Sequence, residues 1–232
     1  MPKITEENFD DLKKQIKASI AHVQNEKISI LDFEKLKFCK VVAWPYPVEN
    51  NQKEDNQNKC NFIEFINQLF TTIASVKAIE YLNAEKKKLE ICLGTTSGRD
   101  LTIFEDNNRN IIAEIFAVTD PASNSKLKDE ILSLVDPKPE EKENWSEINK
   151  RYVFFILAKD SFAQLRDKVY NWSSYNPTSD KPNIIYKNDL KIENRQATWT
   201  CECKDKEIKI VCWSSKECLK NWMVGKTKGG IV

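Results

Sequence analysis

The segments between residues 61 and 158 constrain the fold most, because helical and strand-like apolar patterns follow one another there in a fixed order. Residues 61–82 carry apolar side chains at helical spacing on more than one side, which predicts a helix packed against a sheet. Three consecutive strands, an amphipathic helix and a buried strand are then predicted, at KLEICL (88–93), RDLTIFE (99–105), NIIAEIFAVT (110–119), residues 123–135 and RYVFFILA (151–158). The order α-β-β-β-α-β predicts an α/β core with a mixed sheet.

The connections between these segments predict how the strands pair. The polar residues DNNRN (106–110) separate the second and third strands and have the composition of a hairpin turn. The following helix, with Ser123 as its expected N-cap, lets the third and fourth strands lie parallel through a right-handed crossover. We therefore expect an antiparallel meander of three strands, extended by one parallel strand.

The segments on either side of this core divide the chain into three parts. Residues 1–60 contain a predicted helix at 6–24 and end in a polar loop. Residues 61–160 form the core, and residues 161–232 extend the same domain. The C-terminal part is predicted to contain a β-hairpin, QATWTCEC–KDKE–IKIVCW, and a final helix.

The residue totals argue against several kinds of function. The chain of 232 residues has one histidine, His22, which leaves no positioned imidazole for a serine-hydrolase triad. Its five glycines form neither a GxxxxGK[ST] nor a GxGxxG pattern, so a nucleotide-cradling fold is not expected. Because the formal net charge is +1, any contact with nucleic acid must come from a local patch.

The cysteines and the N-terminus predict a cytoplasmic protein. Seven cysteines are an odd number, and their spacing is not that of a disulfide framework, which indicates a reducing compartment. No apolar run reaches membrane-spanning length, and the polar start MPKITEENFDDLKK does not resemble a signal peptide, so we expect no membrane partner. The C-terminal cysteines lack the CxxC turns of common zinc motifs, and reduced core thiols are expected rather than zinc.

Two acidic residues on neighbouring strands are the candidate chemical site. A hairpin that is symmetric about DNNRN pairs Asp100 with Phe116. Glu114 then pairs with Thr102, and the two carboxylates become diagonal neighbours on one face, about 7–8 Å apart at the backbone. That distance lets both carboxylates hold one divalent cation, whereas a slip of one residue would place them on opposite faces.

Glu114 is the more informative of the two acids, because it interrupts the apolar run NIIAEIFAVT. Burying an ionised carboxylate there costs several kcal/mol, on the order expected for an unpaired buried charge, unless a partner compensates it. A bound cation is one such partner. The alternatives are an edge position that faces water, and an ion pair with a lysine or arginine.

This arrangement resembles the PD-(D/E)XK nuclease superfamily, which includes the type II restriction endonucleases. The resemblance covers residues 61–158, and its diagnostic part is GRDLTIFEDNNRNIIAEIFAVTDPASNSKLKDEI. Asp100 stands at the family's first acid, in an RD rather than a PD dipeptide, and Glu114 stands at the second. The family's lysine is replaced by Phe116, and the resemblance implies that Lys126, in the first turn of the following helix, supplies the amine instead, with Lys128 as the alternative donor.

The resemblance implies a Mg²⁺-dependent endodeoxyribonuclease of restriction type, in which Mn²⁺ can substitute for Mg²⁺. Its expected metal ligands are Asp100, Glu114, the carbonyl of Ile115 and the auxiliary acid Glu64, and its expected catalytic residues are Asp100, Glu114 and Lys126. The expected substrate contacts are Arg99, Asn124 and Lys128. Double-stranded DNA is the implied partner, with recognition by the region after residue 160, and a homodimer is the implied assembly.

Two other functions stay open on the sequence. A nuclease-like fold without catalysis would serve as a nucleic-acid-binding or protein-interaction module, and Phe116 and the missing PD dipeptide favour this reading. A zinc-stabilised adaptor built on the C-terminal cysteines is the third hypothesis.

Overall fold

A computed structural model of the chain describes four helices and ten strands. It covers residues 9–26, 44–45, 59–60, 62–85, 87–92, 99–105, 108–118, 126–138, 142, 145–158, 162–165, 167, 183–220 and 222. The helices are α1 (Phe9–Glu26), α2 (Phe62–Tyr81), α3 (Lys126–Ser133) and α4 (Ser215–Lys220). Among the described residues, no helix combines the length and apolar character that crossing a membrane requires.

The strands form one large mixed sheet and one small pair. β1 (Trp44–Pro45) pairs antiparallel with β2 (Lys59–Cys60). The other eight strands form a single sheet in the order β3-β4-β5-β6-β10-β9-β7, and β8 also pairs with β9. Their bounds are β3 Leu89–Ile91, β4 Leu101–Glu105, β5 Asn108–Val118, β6 Lys150–Leu157, β7 Ile184–Tyr186, β8 Lys191–Glu193, β9 Gln196–Cys203 and β10 Lys206–Ser214.

The predicted core connectivity is present. β3, β4 and β5 form an antiparallel meander, and β5 pairs parallel with β6 after the chain has passed through α3. The predicted α/β class and the predicted parallel crossover are therefore confirmed. The expected N-cap Ser123 lies outside the described residues.

The C-terminal hairpin continues the same sheet. β9 and β10 pair antiparallel as predicted. β10 also pairs parallel with β6, so the hairpin and the core strands belong to one continuous sheet. The turn is shorter than the predicted KDKE, because Lys204 and Asp205 alone connect the strands and both have positive φ. The sequence patterns also missed β7 and β8, which are each three residues long and therefore too short for an alternation to identify them.

The sheet has a hydrophobic layer on each face. α1 and α2 cover one face, where the odd-numbered β5 residues Ala113 and Ile115 are buried. α3 covers the other face through Leu127 and Ile131. Ile112 and Phe116, on either side of Glu114 along β5, belong to that second layer. The alternation along β5 therefore directs Glu114 towards α3.

The C-terminal cysteines lie in these layers, as predicted. Cys201, Cys203 and Cys212 are buried in the layer under α3, and Cys218 is buried in the layer under α2. Burial raises the pKa of Cys201 to about 12 and that of Cys218 to about 12. These thiols are therefore protonated near neutral pH and contribute to the fold as small apolar groups.

The turn between β8 and β9 offers a stabilising substitution. Asn194 and Arg195 occupy it with φ values of 48° and 60°. A non-glycine residue in this region costs about 1–2 kcal/mol, and Asn-Gly is the preferred pair for such a hairpin turn. We expect Arg195→Gly to raise the free energy of unfolding by about 1 kcal/mol and the melting temperature by about 2–4 °C.

Thermal melting of Arg195→Gly beside Arg195→Ala separates the backbone effect from loss of the side chain. The alanine variant keeps the unfavourable φ, so it is expected to melt with the wild-type protein. If the glycine variant melts no higher than the alanine variant, the turn does not store the expected strain.

Candidate functional site

The register of β4 and β5 differs from the predicted register by two residues. Thr102 pairs with Ile112 rather than with Glu114, and Leu101 pairs with Ala113. A shift of two residues leaves every side chain on its predicted face. Because Leu101 pairs with Ala113, the preceding residue Asp100 is directly opposite Glu114. The two acids are therefore a directly opposite pair rather than the predicted diagonal pair.

A bulge in β5 produces this register. Ile103 pairs with Ile111, whereas the next residue, Phe104, pairs with Arg109, so Asn110 is an extra residue on β5. The predicted symmetric hairpin contained no bulge and had a longer turn, because it paired Asp106 with Asn110, whereas Glu105 pairs with Asn108 in the structure. Without the extra residue, the register near the turn would continue along the strands and pair Asp100 with Ala113. Glu114 would then lie on the opposite face of the sheet from Asp100.

Asp100 is a partly buried carboxylate beside a second carboxylate. Its Oδ2 accepts a hydrogen bond from the backbone N–H of Ile115 at 2.7 Å. Burial raises the pKa of Asp100 well above its usual range, and the charge of Glu114 raises it further. Among the described residues, no lysine or arginine forms an ion pair with Asp100.

Glu114 is buried among hydrogen-bond donors. Its side chain is 6% exposed, and Oε1 accepts hydrogen bonds from Arg99 Nη1 at 3.1 Å and from Ser133 Oγ at 2.8 Å. Lys138 Nζ lies 3.7 Å from the same oxygen. An ion pair with arginine, one of the alternatives open on the sequence, therefore compensates part of the charge of Glu114.

The structure gives Arg99 a different place from the predicted substrate contact. Its side chain is 1% exposed, so it does not face a solvent-borne ligand. Besides Glu114, the guanidinium donates to the carbonyls of Ser133 at 2.6 Å and Asp136 at 2.9 Å. These carbonyls follow the end of α3, where helix carbonyls lack intrahelical partners. Arg99 thus connects Glu114 to the C-terminal end of α3.

A third acid, Glu130, reaches the same site from α3. Burial raises the pKa of Glu130, and the charge of Glu114 raises it further, while its hydrogen bond and ion pair with Lys126 lower it. The charge of Glu130 also raises the pKa of Asp100. The sequence reading missed Glu130, although its spacing of four residues from Lys126 is a signal for a helical ion pair.

Phe116, which replaces the expected lysine, is a core residue. It is buried and stacks on Phe155, with ring centroids 5.0 Å apart and planes inclined by 1°. Lys126 Nζ lies 5.6 Å from the centroid of the Phe116 ring, so Lys126 does reach over Phe116 as predicted. Its ion-pair partner there is Glu130, and its predicted catalytic role stays a prediction.

The other residues predicted for the site are Lys128, Asn124, Glu64 and the carbonyl of Ile115. Lys128 is half-buried on α3, and Asn124 lies outside the described residues. Glu64 belongs to α2, which packs on the opposite face of the sheet, and its side chain is not among those described. The Ile115 carbonyl points to the same side of β5 as its N–H, because both backbone groups of a strand residue face one neighbour.

The site offers hard oxygen donors. Within the described residues, no group of three or more histidine, cysteine, aspartate or glutamate side chains is arranged to hold a metal ion. The Asp100–Glu114 pair is a smaller donor set, and it suits Mg²⁺, which proteins bind through one or two carboxylates while it keeps several waters. The pair has the chemistry for a Mg²⁺ site of that type.

Comparison with known proteins supplies no family. No protein-family model, curated protein or solved structure matches this chain. The chemistry of its own side chains is therefore the basis for assigning a function.

Proposed function

We propose that the chain is a Mg²⁺-dependent endodeoxyribonuclease of the PD-(D/E)XK type, with Asp100 and Glu114 as its metal ligands. The observation that carries the proposal is the placement of Asp100, a partly buried carboxylate that accepts a hydrogen bond from the N–H of Ile115, lies beside Glu114 and forms no ion pair among the described residues. Two adjacent buried acids are unfavourable unless they share a proton or a cation. A bound divalent cation would offset the repulsion between the two carboxylates and would explain why they lie side by side.

The connectivity around the pair supports this proposal. Both acids lie at the junction where β4 begins and β5 runs past it, and the helix of the parallel crossover covers them. The restriction-type core has the same order of a helix, a three-strand meander, a second helix and a strand. The proposed family assignment rests on this order and on the two acids together.

The chain's own residues have separable parts in the proposed reaction. Asp100, Glu114 and the carbonyl of Ile115 would hold Mg²⁺, and Glu64 is a proposed auxiliary ligand. Bound Mg²⁺ supplies positive charge that stabilises the transition state of phosphodiester hydrolysis. An amine beside the pair would neutralise charge that develops on the phosphate, and Lys126 and Lys138 are the candidates for it.

Double-stranded DNA is the proposed substrate, with sequence recognition by residues after 160. A formal net charge of +1 gives no general attraction to DNA, so local contacts must position the duplex. We further propose a homodimer, because cutting both strands of a duplex requires two sites.

Nicking of supercoiled plasmid tests the proposed activity. We expect wild-type protein to nick the plasmid with Mg²⁺ but not with a chelator, and Asp100→Ala to lower the rate by about 100-fold or more. Asp129→Asn, an exposed acid on α3, is the matched control and should nick at the wild-type rate. Equal nicking by wild-type and Asp100→Ala proteins would refute the proposal.

The second candidate function is a nuclease-fold module that binds without catalysis. The ion pair between Arg99 and Glu114 favours it, since this contact compensates Glu114 without any metal. Such a module would bind a DNA duplex or a protein equally well with Mg²⁺ and with a chelator. Fluorescence anisotropy with a labelled duplex, together with an absence of nicking by the wild-type protein, identifies this case.

A further inference from the structure

Two lysines approach the carboxylates, and the structure places them differently. Lys126 pairs with Glu130 above Phe116, and its side chain is 46% exposed. Lys138 Nζ lies 3.7 Å from Glu114 Oε1, and its side chain is 27% exposed. Lys138 also lies close enough to Glu130 for its charge to lower the pKa of that acid. Lys138 is therefore near both acids and still partly open to solvent, unlike the buried Arg99.

The chain around Lys138 is held by contacts from three strands or strand ends. Asp136, two residues earlier, receives a hydrogen bond on its carbonyl from Arg99 at 2.9 Å. Its carboxylate pairs with Lys204 in the β9–β10 turn at 2.6 Å. Arg151 on β6 donates to the carbonyl of Leu134 at 3.1 Å. These contacts fix the path of the chain just before Lys138.

The local sequence adds to this positioning. Lys138 stands between two prolines in the segment VDPKPEE. Proline fixes its own φ and restricts the residue before it, so both Asp136 and Lys138 have a reduced backbone range. A lysine in a solvated connector would not need such a fixed backbone, whereas an amine aimed at a reacting group benefits from one.

We infer that Lys138, rather than Lys126, is the catalytic amine of this site and contacts the phosphate that is cleaved. The inference rests on the proposed nuclease function. In the hydrolysis, a water oxygen bonds to phosphorus while the bond from phosphorus to one sugar oxygen breaks. The water loses one proton to solvent and the departing sugar oxygen gains one, so Lys138 stays protonated and acts through its charge.

The test compares Lys138→Met with Lys126→Met, the same change on the neighbouring lysine. Plasmid nicking with Mg²⁺, Mg²⁺ titration calorimetry and thermal melting are measured on both variants and on wild type. We expect Lys138→Met to slow nicking by about 100-fold, as for loss of one charge-stabilising donor. Its Mg²⁺ affinity should be unchanged or higher, because a positive charge near Glu114 has been removed. Lys126→Met should slow nicking at least about tenfold less than Lys138→Met does, and Asp129→Asn supplies the control at the wild-type rate.

Each outcome decides between distinct conclusions. Nicking by Lys138→Met at the wild-type rate, or a rate loss that comes with lost Mg²⁺ binding, overturns the role of Lys138 while the nuclease proposal stands. If wild-type protein itself fails to nick, the proposed function falls and the inference falls with it. Lys138→Gln, which keeps a polar head of similar length, is measured in parallel so that the result does not depend on the folding of one variant.

Discussion

Arg99→Met is expected to lower the free energy of unfolding by about 3–5 kcal/mol, the range seen when one member of a buried ion pair is removed. The guanidinium is almost fully buried and donates to Glu114 and to the carbonyls of Ser133 and Asp136. Methionine fills a similar volume but leaves all three acceptors without this donor. For a chain of this size the loss corresponds to a fall on the order of 10 °C in melting temperature.

A double-mutant cycle isolates the charge effect. Arg99→Met combined with Glu114→Gln should be more stable than Arg99→Met alone, because the neutral amide does not leave a buried charge unpaired. Lys126→Met is the control for an exposed pair and should cost less than about 1 kcal/mol. Chemical denaturation in the presence of a chelator measures the four proteins of the cycle and Lys126→Met. A cost below about 1 kcal/mol for Arg99→Met would show that this pair does not hold the site together.

Asp100→Asn is expected to have opposite effects on stability and on metal binding. The folded state raises the pKa of Asp100 through burial and the charge of Glu114, so it retains a proton that the unfolded state releases. The contribution of Asp100 to stability therefore falls as pH rises from the unfolded pKa to the folded pKa. Asparagine keeps an acceptor for the N–H of Ile115, gains a donor towards Glu114 and does not ionise.

In a chelator near neutral pH, Asp100→Asn should therefore be more stable than wild type, on the order of 1–2 kcal/mol. The difference should shrink as pH falls below the unfolded pKa, where the wild-type carboxyl is protonated in both states. Asp129→Asn provides the control for a change of net charge at an exposed site. A wild-type protein that is more stable than Asp100→Asn at neutral pH in the chelator would contradict this account.

The sequence predicted which strands exist near the site, and its estimate of register was good enough to place both acids on one face. It could not predict the bulge at Asn110, because residues 106–110 are all polar and show no apolar alternation that one extra residue could interrupt. Beside the turn the predicted pairing was off by three residues, and the bulge reduces this offset to two at Asp100 and Glu114, which preserved their faces. An odd error would have separated them.

The side chains that contact Glu114 could not be predicted from the sequence, because they lie far along the chain from it. Ser133 and Lys138 lie 19 and 24 residues further along the chain, the first at the end of α3 and the second beyond it, so the end of that helix had to be placed within one turn. Lys138 lies in a polar segment that the sequence predicts to be a solvated connector, and the tertiary contacts of Leu134 and Asp136 position it near Glu114. Its two flanking prolines were the one signal of a fixed backbone.

Mg²⁺ titration calorimetry on wild-type and Asp100→Asn proteins tests most directly whether the carboxylate pair is a metal site. We expect wild type to bind one Mg²⁺ per chain and Asp100→Asn to show no measurable binding, because one of two charged ligands has been made neutral. Mn²⁺ should give the same contrast. Equal binding by the two proteins, or an absence of binding by wild type, would contradict the central claim that Asp100 and Glu114 converge to hold a cation.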